Sequence, residues 1–249
     1  MSVFSTVLFD LGSTLIYFDA EWEPVMREAA EVMHRKLVEM GFALDESFPG
    51  AYRATSREAY RWRDEHMVET PAPVVLRKVL ATFGYADPTD GQIHEALAAL
   101  YAVSQSHWHV EDDAVSTLQE LLRRGYRLGL ISNAGYDEDT QILIDKAALR
   151  PYLQFIISSA ACGIRKPHPR IFQMALDSLG VQAGEAVMVG DFLAADVLGA
   201  NSMGMGSVWI TRRADPVVSK GLREVITPQR TISTLTELPG VLENWDRAA

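Results

Sequence analysis

The spacing of apolar residues divides the chain into two regions with different secondary structure. From about residue 114 onward, short apolar runs alternate with amphipathic helical patterns. They predict strands at 126–131, 154–157, 186–189 and 206–210, helices at 114–124, 137–148, 169–179 and 193–202, and a weak strand followed by a helix from Thr236 within 231–245. Strands that alternate with helices indicate a parallel sheet with right-handed crossovers. Another apolar run, at 7–9, predicts a buried strand near the start of the chain.

The segment from about 21 to 108 shows helical spacing throughout and no convincing strand. It predicts helices at about 25–40, 51–65, 74–83 and 91–107, with Gly41 and Gly84 ending the first and the third. Helices joined by such short segments are typical of a small bundle. We therefore predict a doubly wound parallel α/β core of residues 1–16 and 110–249, interrupted after its first strand by an all-α helical bundle of residues 17–109.

Composition and charge restrict the partners that the chain can have. It has 249 residues, a formal net charge of −10 and a pI of about 5.1. Such an acidic protein has no long-range attraction for nucleic acid or for an anionic membrane, so an anionic substrate needs a local cation or a metal. Cys162 is the only cysteine, which excludes an internal disulfide and suits a reducing compartment. Because no signal-peptide pattern or membrane-spanning apolar run is present, we expect a cytoplasmic location. The oligomeric state is not predicted.

Polar residues follow four of the predicted strands, at the point where each strand ends. The first strand leads into Asp10, the second into Ser132 and Asn133, the third into a loop with Lys166, and the fourth into Asp191, with Asp196 five residues later. The carboxyl ends of parallel strands lie at one edge of a sheet, where open α/β folds bind their ligands. We therefore expect these groups to converge although they are far apart in sequence.

This set of side chains suits the transfer of a phosphoryl group. Asp10 and Asp191 provide the one or two carboxylates that Mg²⁺ needs beside water and substrate phosphate. A lysine and a hydroxyl, Lys166 and Ser132, would neutralise and hydrogen-bond the other phosphate oxygens. One oxygen of Asp10 then remains free to attack phosphorus and form an aspartyl-phosphate.

At these same positions the chain resembles the haloacid dehalogenase superfamily, whose members are mostly phosphohydrolases. The family's first pattern is FDxDGT, and the chain has FDLGST there. The second is an apolar strand that ends in Ser or Thr, which corresponds to LGLISN. The third, which contains a lysine, corresponds to GIRKPHPRIF, and the fourth, GDxxxxD, corresponds to GDFLAAD. Each motif alone is weak, but four in the right order at predicted strand ends are specific. The resemblance covers nearly the whole chain and implies a Rossmann-like core with a helical-bundle cap inserted after the first strand.

The resemblance also implies roles for individual residues. Asp10 would be the nucleophile and a Mg²⁺ ligand, Asp191 the second carboxylate ligand, and the carbonyl of Gly12 the third ligand. Asp196 has two interpretations of similar weight. It either orients Lys166 or the metal's waters, or it is an acid favoured by the dipole at a helix N-terminus.

The phosphoryl group itself would be bound by three residues under the same resemblance. These are Ser132, Asn133 and Lys166, of which Ser132 and Lys166 count with Asp10 as the catalytic set. The substrate implied is a small phosphorylated metabolite, and neither a nucleic acid nor a membrane is expected as a partner.

One departure from the family pattern concerns the general acid. The family's hydrolases usually carry a second Asp two residues after the nucleophile, where this chain has Gly12. A missing general acid typically costs about 10²–10⁴ in rate. His66 and Asp19 are candidates for a replacement. The metal-free haloacid dehalogenases, which also lack an acid there, are the enzyme alternative, although they usually have Ser-Asn rather than Gly190-Asp191. A decayed protein that only binds phosphate or a partner is the other alternative.

The cap of such an enzyme closes over the strand ends and selects the substrate. Three arginines at helical spacing in the second cap helix are candidates for contacting an anionic substrate, although a solvated helix face is favoured over that role. They are Arg53, Arg57 and Arg61. Trp22, Trp62 and Trp108 are candidates for pocket walls, although core positions in the bundle are favoured over that role.

Overall fold

A computed structural model describes residues 4–245. The strands are β1 (Thr6–Phe9), β2 (Ile16–Phe18), β3 (Trp108–Val110), β4 (Arg127–Ser132), β5 (Phe155–Ser158), β6 (Ala186–Gly190), β7 (Gly206–Ile210) and β8 (Arg230–Ile232). Six of them form one sheet in the order β5-β4-β1-β6-β7-β8, and every neighbouring pair is parallel. β1 therefore lies at the centre, between β4 and β6. The predicted doubly wound, Rossmann-like fold is confirmed.

The helices fall into a group before β3 and a group after it. The first group is α1 (Trp22–Glu39), α2 (Phe48–His66), α3 (Ala72–Thr82) and α4 (Asp90–Gln105). The second is α5 (Ala114–Arg123), α6 (Asp137–Lys146), α7 (Ser159–Cys162), α8 (Pro169–Leu179), α9 (Leu198–Met203), α10 (Pro216–Leu222) and α11 (Leu238–Glu243). Short 3₁₀ turns occupy Arg150–Tyr152, Ala183–Glu185 and Leu235–Glu237.

The six-stranded sheet and the first four helices each have hydrophobic clusters of their own. In β1, Val7 and Phe9 face a cluster with α5, α6 and α11, whereas Leu8 faces a cluster with α8 on the other side of the sheet. Burial on both faces explains why the strand is apolar without alternation. The first four helices have their own core, which includes Met33, Leu76 and Leu97.

Some elements differ from the sequence-based predictions. The helix predicted at 193–202 begins as a π-helical turn, Leu193–Val197, and continues as α9. The prediction that 21–108 contains no strand missed that Trp108 begins β3, which pairs antiparallel with β2. These strands have only three residues each, which is too short for a period of two to stand out. Helices α7 and α10 were also missed.

The predicted domain borders, at 16/17 and 109/110, fall within β2 and β3, which pair with each other. A second link joins the end of α2 to the loop before Lys166, where Val68 and Ile164 form an antiparallel bridge. The division into 1–16 with 110–249 and 17–109 stays a prediction, and its outer ends, 1–3 and 246–249, lie outside the described residues. Within 4–245, no helix is long and apolar enough to cross a membrane.

Candidate active site

The site lies at the carboxyl ends of the three central strands. Asp10 directly follows β1, and its backbone N–H donates to the carbonyl of Val189 in β6 at 2.9 Å. Ser132 ends β4, and Asp191 follows β6. The expectation that residues distant in sequence meet at this edge holds for each of them.

Lys166 links two carboxylates through one buried ammonium group. Its Nζ donates to Asp10 Oδ1 at 2.6 Å and to the carbonyl of Ile131 at 2.7 Å, and it forms an ion pair with Asp196 Oδ1 at 2.7 Å. Burial alone would lower the pKa of Lys166, but the negative charges and hydrogen bonds of Asp10 and Asp196 outweigh it, so the pKa is raised. The lysine is therefore a fixed positive charge beside Asp10.

The loop that carries Lys166 is held by Asn133. The side-chain Nδ2 of Asn133 donates to the carbonyl of Lys166 at 3.0 Å, and its Oδ1 accepts from the N–H of Lys166 at 2.9 Å. Both amide functions of Asn133 are thus used on one backbone position. This pairing fixes the lysine relative to the end of β4.

Three carboxylates form a cluster with the spacing of a metal site. One oxygen from each of Asp10, Asp191 and Asp196 lies within 4.8 Å of the others. Burial, followed by the charges of Asp10 and Asp196, raises the pKa of Asp191 to about 8. Burial raises the pKa of Asp196 to about 6, although Lys166 opposes this effect. The carboxylate of Asp191 forms no ion pair among residues 4–245, and the nearby charge of Lys166 only partly opposes the rise of its pKa, so a bound cation would offset a charge that the protein compensates incompletely.

Glycine is required at one position beside this cluster. A Cβ on Gly190 would lie 2.2 Å from Asp196 Oδ2, far inside contact distance. Asp196 uses that same oxygen to accept from the N–H of Phe192 at 3.0 Å. The absence of a side chain at 190 lets Asp196 approach the end of β6 and reach Lys166.

Gly12 is spatially less restricted. A Cβ built there would lie 3.4 Å from Cη2 of Trp108, which is ordinary van der Waals contact, and the backbone is not in the left-handed region. A Cβ at position 12 would therefore fit beside Trp108. The next residue, Ser13, has a φ of 59° where the chain turns away from β1.

Two cavities reach Asp10. The one that we call the polar cavity has a volume of about 370 Å³, and its charged lining residues are Asp10, Arg63, Asp64, Arg165, Lys166, Asp191 and Asp196. The other, which we call the aromatic cavity, has a volume of about 440 Å³ and is lined by Asp10, Gly12, Ser132, Arg63, Asp139 and the rings of Trp22, Tyr60, Tyr101, Trp108 and Tyr136, among others. Trp22 and Trp108 line the aromatic cavity, and Trp62 is 45% exposed and lines neither cavity. The favoured bundle-core interpretation is therefore wrong for these tryptophans.

Two arginines of the polar cavity were not identified from the sequence. Arg63 Nη1 and Arg165 Nη1 donate to opposite oxygens of Glu69, at 3.1 and 2.5 Å, and the side chain of Glu69 is fully buried. Arg165 precedes Lys166, so its position in the third motif was an available signal. Arg63 had only a weak one, because its helix is rich in arginine.

The arginines predicted instead do not reach the site. Arg53 pairs with Glu23 at 2.9 Å, Arg57 lies 3.9 Å from the same carboxylate, and Arg61 is exposed. None of them lines either cavity. The solvated-face interpretation of their spacing is correct.

Both candidates for the missing acid are also elsewhere. His66 is exposed, hydrogen-bonds the carbonyl of Trp62 at 2.7 Å and stacks on the ring of that residue. Asp19 pairs with His107 at 2.9 Å and His109 at 2.7 Å, and the hydrogen bond from His107 is the main cause that lowers its pKa. Neither lines a cavity that contains Asp10. The suggestion that one of them replaces the acid is not supported.

The pattern of the whole chain identifies its family. A family profile for haloacid dehalogenase-like hydrolases matches residues 4–204. The chain belongs to this family. The recognition based on four short motifs is thereby confirmed, and the protein is a phosphatase-like hydrolase of the haloacid dehalogenase superfamily.

One relative carries only the general name of the family, and another is named as a phosphatase. The chain is 33% identical over 206 residues to human haloacid dehalogenase-like hydrolase domain-containing protein 3, covering 81% of this chain and 79% of the relative. It is 30% identical to the glyceraldehyde 3-phosphate phosphatase of Methanopyrus kandleri, covering 83% of each.

Solved structures of the family are similar over nearly the full length. A haloacid dehalogenase-type phosphatase from Thermococcus onnurineus matches with a TM-score of 0.63 and 26% identity, covering 96% of this chain and 97% of the other. A 2-haloacid dehalogenase from Pseudomonas syringae matches with a TM-score of 0.65 and 25% identity, covering 97% and 99%. The backbone therefore does not separate phosphatases from dehalogenases, and the residues of the site must do so.

Proposed function

We propose that this hydrolase is a Mg²⁺-dependent phosphatase that cleaves small phosphate monoesters through an aspartyl-phosphate on Asp10. The observation that carries the proposal is that Asp10 lies 2.6 Å from a fixed cation, Lys166, and within 4.8 Å of the carboxylate of Asp191, which forms no ion pair among residues 4–245. A nucleophilic carboxylate needs an adjacent positive charge to receive the trianionic transition state. The phosphatase among the relatives, which matches over 83% of each chain, supports the same reaction class.

In this reaction a bond forms between an oxygen of Asp10 and phosphorus, and the bond from phosphorus to the leaving oxygen breaks. Lys166 holds Oδ1 of Asp10, which orients the carboxylate. Ser132 binds the phosphoryl oxygens. Lys166, whose three N–H groups are directed at Asp10, Ile131 and Asp196, contributes its positive charge to them, and Asn133 holds the backbone of Lys166. Water then attacks the aspartyl-phosphate, which releases phosphate and restores Asp10.

The residues that would hold Mg²⁺ are Asp10, Asp191 and the carbonyl oxygen of Gly12. Oxygen ligands from carboxylates and a carbonyl suit this hard cation. When bound, the ion would supply a second positive charge to the site and offset the repulsion between the acids. Asp196 belongs to the lysine side of the site, since its ion pair with Lys166 supports the positioning role over the helix-dipole role.

The dehalogenase alternative fits this donor set less well. In a metal-free site, the carboxylate of Asp191 would have no function beside Asp10 and Asp196. Its charged form would also cost free energy, because the side chain is partly buried and has no bound cation. The substrate that we propose is a small phosphorylated metabolite. We place the reaction in the cytoplasm, on the grounds of composition alone.

A panel of phosphorylated metabolites, assayed for phosphate release with Mg²⁺ and with a chelator, tests the proposal. We expect release with Mg²⁺, loss of release on chelation, and no release from the Asp10→Asn variant. Dehalogenation that survives chelation would overturn the proposal in favour of the metal-free enzyme. Tight phosphate or Mg²⁺ binding without turnover would identify a binding protein whose catalysis has decayed.

A further inference from the structure

Asp139 is an acid in the aromatic cavity that the reaction at Asp10 does not use. It lies in the first turn of α6, and one of its oxygens, Oδ1, accepts from the side-chain amide of Gln105 at 2.8 Å. The other oxygen has no hydrogen-bond partner or cation among residues 4–245. Asp139 lines the same cavity as Asp10, Gly12 and Ser132. A group attached to a phosphate at Asp10 would therefore share this cavity with the acid.

The walls of the aromatic cavity attract positive charge. Five aromatic side chains line it: Trp22, Tyr60, Tyr101, Trp108 and Tyr136. The faces of such rings carry negative electrostatic potential and bind ammonium and guanidinium groups. One ring already does so, because the guanidinium of Arg63 lies 4.0 Å from the centroid of Tyr60.

The charges of the cavity are unequally compensated. Among the described residues, Arg63 is the only cationic lining residue of this cavity, and it pairs at 3.1 Å with Glu69, a carboxylate that it shares with Arg165. Asp139 has no such partner, and burial raises its pKa to about 6 with only the hydrogen bond from Gln105 opposing the shift. An uncompensated carboxylate between aromatic rings is the combination that a cationic ligand would complete.

We propose that Asp139 and the surrounding rings form a leaving-group subsite for an alkylammonium group. The substrate class is then the phosphate monoesters of amino alcohols, with the phosphate at Asp10 and the ammonium group at Asp139. This inference rests on the proposed phosphatase function. The chemistry is shared by primary and quaternary amines, which the test compares separately.

The test compares esters that differ in charge but not in shape. Phosphocholine is set against 3,3-dimethylbutyl phosphate, in which carbon replaces the ammonium nitrogen, and phosphoethanolamine against propyl phosphate. All four are alkyl phosphates, so the difficulty of expelling an alkoxide affects each pair similarly. We expect wild-type kcat/KM to favour the charged member of at least one pair by about tenfold or more.

The decisive variant is Asp139→Asn, which keeps an oxygen for the hydrogen bond from Gln105 and removes only the charge. It should lower kcat/KM for the preferred ammonium ester by about 10–100-fold and leave the neutral ester within about threefold. Any inductive effect of the ammonium group is the same in wild type and variant. Asp145→Asn is the matched control, because Asp145 lies exposed on the same helix and pairs with Arg150. It should change neither ester.

Calorimetric titration with choline and with ethanolamine, in the presence of inorganic phosphate, separates this inference from the proposed function. Saturable binding that Asp139→Asn abolishes and Asp145→Asn retains would support the subsite even if no ester is hydrolysed, in which case the phosphatase proposal alone fails. Hydrolysis of neutral and charged esters at equal kcat/KM, without binding of either amine, would overturn the subsite and leave the phosphatase. Equal loss of both esters in Asp139→Asn would also overturn it, because Asp139 would then act on structure or on proton transfer.

Discussion

The ammonium of Lys166 lies 2.6 Å from the carboxylate of Asp10, although 156 positions separate the two residues in the sequence. The parallel sheet produces this contact by bringing the end of β1 beside the loop that follows β5 and α7. The side chain of Lys166 is almost completely buried. The pair is therefore both the electrostatic centre of the site and a buried charge cluster on which the local fold depends.

Replacing this lysine should affect catalysis and stability together. Lys166→Met removes the fixed cation beside Asp10, so we expect kcat/KM to fall by about 10²–10³-fold. It also leaves Asp10 and Asp196 without their partner, which should reduce the free energy of unfolding by about 3–5 kcal/mol. Steady-state kinetics and denaturant unfolding measure the two effects. Lys78→Met, at an exposed lysine of α3, is the control. Wild-type kcat/KM in Lys166→Met would show that the lysine is only structural.

Metal binding should depend on Asp191. Asp191→Asn removes a carboxylate ligand but no ion pair, so we expect Mg²⁺ affinity to fall by more than the roughly 10–100-fold that loss of an outer-shell partner costs. The fold should remain intact, because burial and the neighbouring acids already disfavour the charged form of Asp191. Calorimetric Mg²⁺ titration, with thermal unfolding as the control, checks both statements. An unchanged titration would remove Asp191 from the metal site.

The motifs that meet at the candidate site could be predicted because each is local in sequence. Asp10, Ser132 and Asp191 follow apolar runs whose lengths predict buried strands, and the sheet then determines where their side chains meet. Lys166 could be placed by the same argument only because its loop follows the next strand. The structure shows in addition that Lys166 forms an ion pair with Asp196. The spacing of GDFLAAD alone did not determine this contact.

The residues that surround the motifs could not be predicted, because their positions depend on packing between helices and loops. Arg63 reaches the site and Arg61 does not, although only one residue lies between them. The difference between the two arginines comes from backbone hydrogen bonds that join the segment after α2 to the loop at 163–165. These bonds bury Glu69 beside Arg63. Asp139 had no motif at all. Its proposed role depends on the aromatic rings of α1, α2 and α4 that line the same cavity.

The stability of the protein should respond to pH through Asp139. Its pKa is raised from 3.8 to about 6 in the folded state, so folding favours the protonated form. That contribution is complete below pH 3.8 and is lost as the pH rises through about 6. Asp139→Asn should therefore gain stability relative to wild type across this window, by about 1–3 kcal/mol at pH 8.

Denaturant unfolding of both proteins between about pH 4 and pH 8 measures this difference. Asp145→Asn provides a control of opposite sign, because the hydrogen bond from Arg150 lowers the pKa of Asp145. The pH range of the experiment lies above the ordinary pKa of 3.8, so the carboxylate of Asp145 stabilises the fold throughout it. The Asn variant should therefore be less stable than wild type by a difference that stays nearly constant between about pH 4 and pH 8. A pH-independent difference for Asp139→Asn would contradict the prediction.

Gly12 should limit the range of substrates that react quickly. Without an acid at that position, departure of the leaving group is unassisted, so aryl phosphates should react much faster than alkyl phosphates. The second half-reaction also lacks its base, and the aspartyl-phosphate at Asp10 should therefore accumulate and be trapped by acid quench. Substitution is sterically feasible, since a Cβ at 12 meets only Trp108, at 3.4 Å.

The variant Gly12→Asp should restore proton transfer and accelerate alkyl phosphates more than aryl ones, by up to about 10²-fold in their ratio. Gly12→Asn is the matched control, because it adds the same volume without an acid and should leave the ratio unchanged. The measurement is kcat/KM for a series of alkyl and aryl phosphates on wild type and both variants. Equal rates for alkyl and aryl phosphates in the wild type would contradict the prediction, because another group of the cavity would then be supplying the proton.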